Sequence, residues 1–394
     1  MKRIAIFLAL LLLGISQAVA APKSVAVKKL SLIPVNQGAE KLVITGKTLV
    51  TIGNTDGVNS NILLTGLDAT GTQLWQKTID SGVDEVALAA TTDPSGNIWL
   101  AGASSAIEAS ESATAQIQVE NPDGVLVEPA SKLRGDMNLL TFWKVSSAGD
   151  LVATYTAVQS APALINAISA NASGVSVVGS LQDKPFIQSI TSQGVFGKII
   201  PIGTSKSSLN AIVRQSDGTL SVFGTSAETL GGKKLAGIRD GILIKISKTG
   251  AVASVVRSSA PKADRSWIGA DPSLALTGFV KTGKVIESAF TKFTSAFTPS
   301  WTLRVPSLGT SAVISAGTTT YGAFASNSAV SGVIGWKPTS PSLLLISFDS
   351  KGVITGAFGS NEITEPIALA YAKEFGFIGL AKTPSQSLSL FKLP

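Results

Sequence analysis

The 394-residue sequence contains neither histidine nor cysteine. Ser-His-Asp and Cys-His nucleophiles, imidazole acid–base chemistry and zinc sites built on His or Cys are therefore excluded. Carboxylates and tyrosines remain. Glu40, Glu85 and Glu365 each stand just ahead of an apolar, strand-like run. Two such carboxyls ~5–9.5 Å apart across a cleft would suit glycoside hydrolysis. Three of them around a mouth, with amide oxygens from Asn166 and Asn210 in comparable places, could hold a hard cation such as calcium. Solvated charges at strand ends are the plainer alternative. The three tyrosines, Tyr155, Tyr321 and Tyr371, lie in strand-like stretches where sheet packing is their ordinary role.

A second group of residues could bind rather than react. The segment RSSAPKADRSW brings Arg257, Lys262 and Arg265 next to Trp267, a combination able to hold an anionic glycan or wall polymer. A solvated loop would have the same composition. Trp336 is a second candidate platform. Ala103–Met137 carries Glu108, Glu111, Glu120, Asp123, Glu128 and Asp136 against Lys132 and Arg134. Its end, KLRGDMNLLTFWKVS, echoes KLAGIRDGILIKIS further along, so Arg134-Gly135-Asp136 reads as repeat sequence rather than as an adhesion motif.

The elements that must position these residues recur along the chain. A strand, a Gly turn and a strand ending near Gly appear in Glu40–Gly53, Val86–Gly102, Asn166–Gly179 and Asn210–Gly224. Weaker copies lie at Ile268–Gly278, Ser311–Ala325 and Pro366–Ala381. Between them stand second hairpins such as Ile62–Trp75, Thr141–Thr154 and Ile242–Val255. Short Val/Ile/Leu/Thr-rich runs bounded by Gly, Asp, Ser and Asn are the hairpin signal, with Gly supplying positive φ in the turns. Trp75 and Trp301 occupy matching places and read as packing between repeats. The repeat opens near residues 38, 83, 162, 207, 267, 310 and 364, and its compact units of about 45 residues suit a four-stranded propeller blade. The last unit has room for three strands, and Val25–Val35 is a spare one. The expectation is an all-β, seven-bladed β-propeller of four-stranded antiparallel blades, closed by the N-terminal strand completing the last blade beside Leu388–Leu393.

The pieces LDATGTQLW, DPSGNIWLAG and RDGILIKISKTG resemble the seven-bladed bacterial propeller repeats of the SBBP type, and ATGTQLW more loosely resembles quinoprotein-like propeller repeats. The resemblance covers nearly the whole chain after residue 20 but rests on turn and core positions, so it implies architecture rather than a ligand. Strand alternation puts every long insertion on one face: Ala103–Met137, Thr225–Arg239, Arg257–Ser266 and Ser326–Pro341. Long loops on a rigid scaffold are where binding usually resides, although surface insertions can also be neutral.

The N-terminus reads Lys2-Arg3, an apolar run Ile4–Ile15 and Ala18-Val19-Ala20, which is a signal peptide over residues 1–20 with the propeller domain over 22–394. That run is shorter than the roughly 20 residues a spanning helix needs. Losing Lys2 and Arg3 takes the 32 Lys and Arg to 30 against 25 Asp and Glu, a net +5 without a dense basic run. This suits solubility or loose attraction to anionic surfaces better than nucleic acid. The functional expectation is a secreted or cell-envelope protein, monomeric and non-catalytic, whose loop face binds a protein, glycan or envelope polymer. The alternative is an extracellular enzyme acting on polysaccharide through carboxylates at the channel mouth.

Overall fold

The computed structural model describes residues 24–35, 38–55, 57, 59–106 and 133–394. The expected signal peptide and most of the acidic insertion, residues 107–132, lie outside the described residues. Among the described residues there is no helix, and hence none long and apolar enough to cross a membrane.

The chain begins with β1 (Val25–Lys29) and β2 (Ser31–Pro34). A first blade follows: β3 (Lys41–Thr45), β4 (Thr48–Thr55), β5 (Asn61–Leu67) and β6 (Gln73–Ile79). The next comprises β7 (Glu85–Thr92), β8 (Ile98–Ser104), β9 (Leu139–Val145) and β10 (Leu151–Val158). Then come β11 (Ala163–Asn171), β12 (Gly174–Leu181), β13 (Lys184–Thr191) and β14 (Ile200–Pro201). The fourth blade has β15 (Ser207–Arg214), β16 (Leu220–Ser226), β17 (Asp240–Ile246) and β18 (Val252–Ser258). The fifth has β19 (Asp264–Ala270), β20 (Ala275–Thr282), β21 (Val285–Phe293) and β22 (Pro299–Pro306). The chain continues through β23 (Ser311–Ala316), β24 (Thr319–Ser326), β25 (Val333–Ile334), β26 (Ser342–Phe348) and β27 (Ile354–Ser360). It closes with β28 (Pro366–Ala372), β29 (Gly376–Lys382) and β30 (Leu388–Lys392).

These strands form a β-propeller. The innermost strands β3, β7, β11, β15, β19, β23 and β28 touch in series, and β28 returns to β3. The expected seven-bladed propeller of four-stranded blades is corrected: the structure has six four-stranded antiparallel blades, not seven. The remaining sheet has six strands in the order β23-β24-β26-β27-β1-β25, with parallel pairings at β1. The expected single strand Val25–Val35 is also corrected, because it is two strands serving two sheets. β1 lies parallel to β27, while β2 lies antiparallel to β30 and is the outer strand of the β28–β30 sheet. The break falls at Leu30, which is buried in the apolar cluster between the two sheets and donates its N–H to Gly359 O. Two consecutive lysines precede it, and two polar residues in a row end the alternation that one continuous strand would need.

Apolar clusters fill the spaces between neighbouring sheets rather than a single centre. Trp75 and Trp301 sit in such spaces, each with its ring against the turn glycine of the following sheet, Gly149 and Gly352 respectively. One hairpin turn recurs at the opposite end from the insertions. In Asp93–Asn97, for example, Asp93 N donates to Asn97 O, Gly96 N donates to Asp93 O, and Asp93 Oδ1 accepts from Ser95 N and Asn97 N. Gly96 has φ +82°, the left-handed position of a three-residue hairpin loop.

Candidate functional site

The insertion-bearing face is held to the blades by ion pairs. Asp240, the first residue of β17, is fully buried and accepts from Ala236 N and Gly237 N at 3.0 and 2.9 Å and from Arg257 Nη1 at 3.1 Å. Burial alone would raise its pKa, but these donors outweigh it and hold the carboxyl below its ordinary value. The rest of the Arg257 guanidinium donates to Lys233 O and Glu228 O. Arg257 is thus the clamp of the Thr225–Arg239 loop. Arg239 reaches across to Asp264 at 3.3 Å, joining that loop to the start of the next blade. In the second blade Arg134 bridges Asp136 and the buried Asp84, so the Arg-Gly-Asp tripeptide closes on the scaffold.

The aromatic part of the expected binding patch is corrected by burial. Trp267 is 0% exposed within β19, edge-on to Phe293 at 5.5 Å. Trp336 is 5% exposed and lies over Gly359 of β27. Large rings gain more from leaving water than from waiting on a surface, so both belong to the packing between blades. Lys262 is exposed, with φ +54°. Leu235 and Ile238 are exposed beside Lys233 and Lys234, the latter isoleucine by 63%.

Arg265 is the unusual member of the set. It is 8% exposed, and its guanidinium carbon stands 4.6 Å from the Trp267 ring centroid. Its Nε has no hydrogen-bond partner, and no carboxylate among the described residues pairs with it. Burial, followed by repulsion from Arg304, pulls its pKa down to about 10, so it remains charged at neutral pH. Arg304 lies on β22, two residues from Thr302, and is only loosely matched by Glu287 at 3.6 Å. Arg265 and Thr302 line a cavity of about 300 Å³ between the fourth and fifth blades. Sequence reading missed Arg304, although strand alternation sets it and Thr302 on the face opposite Trp301 and Leu303.

The three glutamates are not gathered into a cation site. Glu85 is buried, and its carboxylate accepts from Trp143 Nε1 at 3.1 Å and from the Ser81 hydroxyl and N–H. Glu40 accepts from Lys41 Nζ and Asn54 Nδ2, both at 2.9 Å. Glu365 faces Lys382 at 3.5 Å. Among the described residues no group of three or more carboxylates lies close enough to hold a metal ion. Each of the three carboxylates instead has a separate local partner. Asn166 and Asn210 also have a different task. Each occupies the bulge of an inner strand and donates to the carbonyl at the next blade's bulge, Leu209 O at 2.7 Å and Trp267 O at 2.9 Å. Asn54 does the same with Ala87 from the neighbouring strand β4.

No protein-family model matches the sequence, and no curated protein matches it. Solved structures match its fold. The WD40 domain of coronin from Toxoplasma gondii is 11% identical, over 95% of this chain and 89% of its own, with a TM-score of 0.50. The β-propeller domain of the Trilobed protease from Pyrococcus furiosus is 8% identical, over 92% and 95%, with a TM-score of 0.49. BBS1N, solved in complex with ARL6DN, is 11% identical, over 95% and 94%, with a TM-score of 0.49. At such identity the likeness is one of fold, a propeller of repeated blades, and it carries no ligand with it.

Proposed function

We propose that this propeller is an exported, non-catalytic binding or scaffold protein that recognises a protein, glycan or envelope polymer through its insertion-bearing face. The observation that carries this reading is the way that face is built. Buried or half-buried ion pairs, Asp240–Arg257 and Asp84–Arg134, fasten the insertions to the rigid blades. The loop so fastened presents Leu235 and Ile238 to solvent among Lys233 and Lys234, an apolar spot with a cationic rim. Such a surface suits a partner that is itself apolar at its centre and acidic around it. Of the carboxylates that could have served an enzyme, Glu85 and Glu40 have structural hydrogen bonds and Glu365 an ion pair with Lys382, which favours recognition over turnover. The signal-like N-terminus supports export.

The test is a screen of the purified protein against immobilised polysaccharides, wall polymers and envelope proteins, with sugar release followed in parallel. Retention without release is expected. Ile238→Asp together with Lys234→Glu should weaken retention at least about tenfold while leaving Tm unchanged, because neither side chain is packed. Release of sugar that disappears in Glu40→Gln or Glu365→Gln would establish the enzymatic reading in its place.

A further inference from the structure

The cavity between the fourth and fifth blades has a chemistry that its structural surroundings do not use. Its floor is apolar, made by Leu243 and Val256 of one blade and Phe293 and Phe297 of the next. The rest of the lining is mostly polar, with Ser258, Ser259, Thr291 and Thr302 beside two guanidiniums, Arg257 and Arg265, of which only Arg257 has a carboxylate partner among the described residues. The Arg265 guanidinium rests on Trp267 and leaves Nε without an acceptor. The charged groups around it come from four strands, β18, β19, β21 and β22. On β19 itself, Asp264 is turned to Arg239. From β22, Arg304 repels it, and Glu287 of β21 is drawn to Arg304. On the β18 side, Arg257 is neutralised by Asp240. One positive charge is left without a counter-charge. A buried ion in that condition is costly unless something pairs with it.

We propose that this cavity is a binding site for a small organic carboxylate with an apolar body, held by Arg265. The planar guanidinium fork matches a carboxylate through two parallel N–H···O bonds. One uncompensated charge calls for a monoanion rather than a phosphate dianion. The Leu, Val and Phe floor takes an aryl or branched-alkyl group, and about 300 Å³ is at the small end of ligand pockets. The site adjoins the loop that carries Leu235 and Ile238, since Arg257 lines the cavity and holds Lys233 O, but its proposed ligand contacts Arg265 rather than that exposed surface.

Titration calorimetry and thermal shift of the purified protein with sodium benzoate test the assignment, with benzamide, inorganic phosphate and sulfate as parallel arms. Benzoate should bind and raise Tm with concentration, while benzamide should not. Arg265→Met should reduce benzoate affinity at least about tenfold, with Arg265→Lys in between. Should Arg265→Met fail to fold, Val256→Phe fills the cavity without touching the arginine and should abolish the response equally. No benzoate response in the wild type would overturn the proposal. So would an undiminished response in a folded Arg265→Met or Val256→Phe variant, or equal shifts from phosphate and sulfate.

Discussion

Gly179 sits inside strand β12, yet it is not there for its backbone freedom. A Cβ at this position would come within 2.0 Å of Leu164 O, where the inner strand β11 bulges toward its neighbour. Gly102, Gly224 and Gly278 meet the same obstacle at Val86 O, Ser208 O and Ser266 O. A backbone carbonyl cannot step aside as a flexible side chain can. Gly179→Ala should therefore cost about 3 kcal/mol, at the upper end of overpacking. Gly283, at φ +60° with open space around it, is the contrasting case, and Gly283→Ala should cost only about 1 kcal/mol of backbone strain. Urea unfolding of the two variants separates the effects. The repeat of strand glycines was visible in the sequence and falls two residues before the ends of β8, β12 and β16, but a conformational reason, positive φ, was attached only to the turn glycines. The true reason at Gly179 is a bulge on a different strand, which no local pattern announces. Arg265 was singled out for its charge. Its burial depends on Trp267 and on a blade whose approach the sequence does not specify.

The element that responds most to solution conditions is the loop Thr225–Arg239 with its anchor. Asp240 has its pKa held below the ordinary carboxylate value in the folded state, and so does Glu228, whose burial is outweighed by Ser207, Thr204 and Lys206. Carboxyls depressed in this way contribute stability above their unfolded values near 4, and that contribution drains away as pH falls through them. Asp240→Asn should cost about 3 kcal/mol at pH 7, since it leaves the Arg257 guanidinium buried without its partner. Measured by urea titration from pH 7 to pH 3, the gap between wild type and Asp240→Asn should narrow below about pH 4. Convergence at neutral pH would mean that Arg257 finds another acceptor. The strand positions themselves were legible: the inner strands begin at Lys41, Glu85, Ala163, Ser207, Asp264, Ser311 and Pro366, close to the repeat openings read from the sequence. The roles of Asn166 and Asn210 were not. They stand at matching positions as a ring of ligands would, but each amide is turned to the adjoining blade's backbone.

At the scale of the whole molecule, the ring is held shut by residues 25–34, which share themselves between two sheets. Removing residues 24–37 would strip β27 of β1 and β30 of β2, leaving two unpaired edges. Calorimetry should then show Tm lowered by at least about 5 °C and a broader, less cooperative transition. An unchanged transition would show that the inner-strand contacts suffice. The same arrangement governs time as well as stability. Ser389 bonds Ile33 O across 356 positions of chain. During synthesis β1 and β2 are made among the earliest residues, and their partners among the last. Until β27 and β30 exist the early strands β1 and β2 have no partner to dock on, whereas the five blades from β3 to β22 each pair within themselves. Closure becomes possible only once those final strands have been delivered, on whichever side of a membrane that happens.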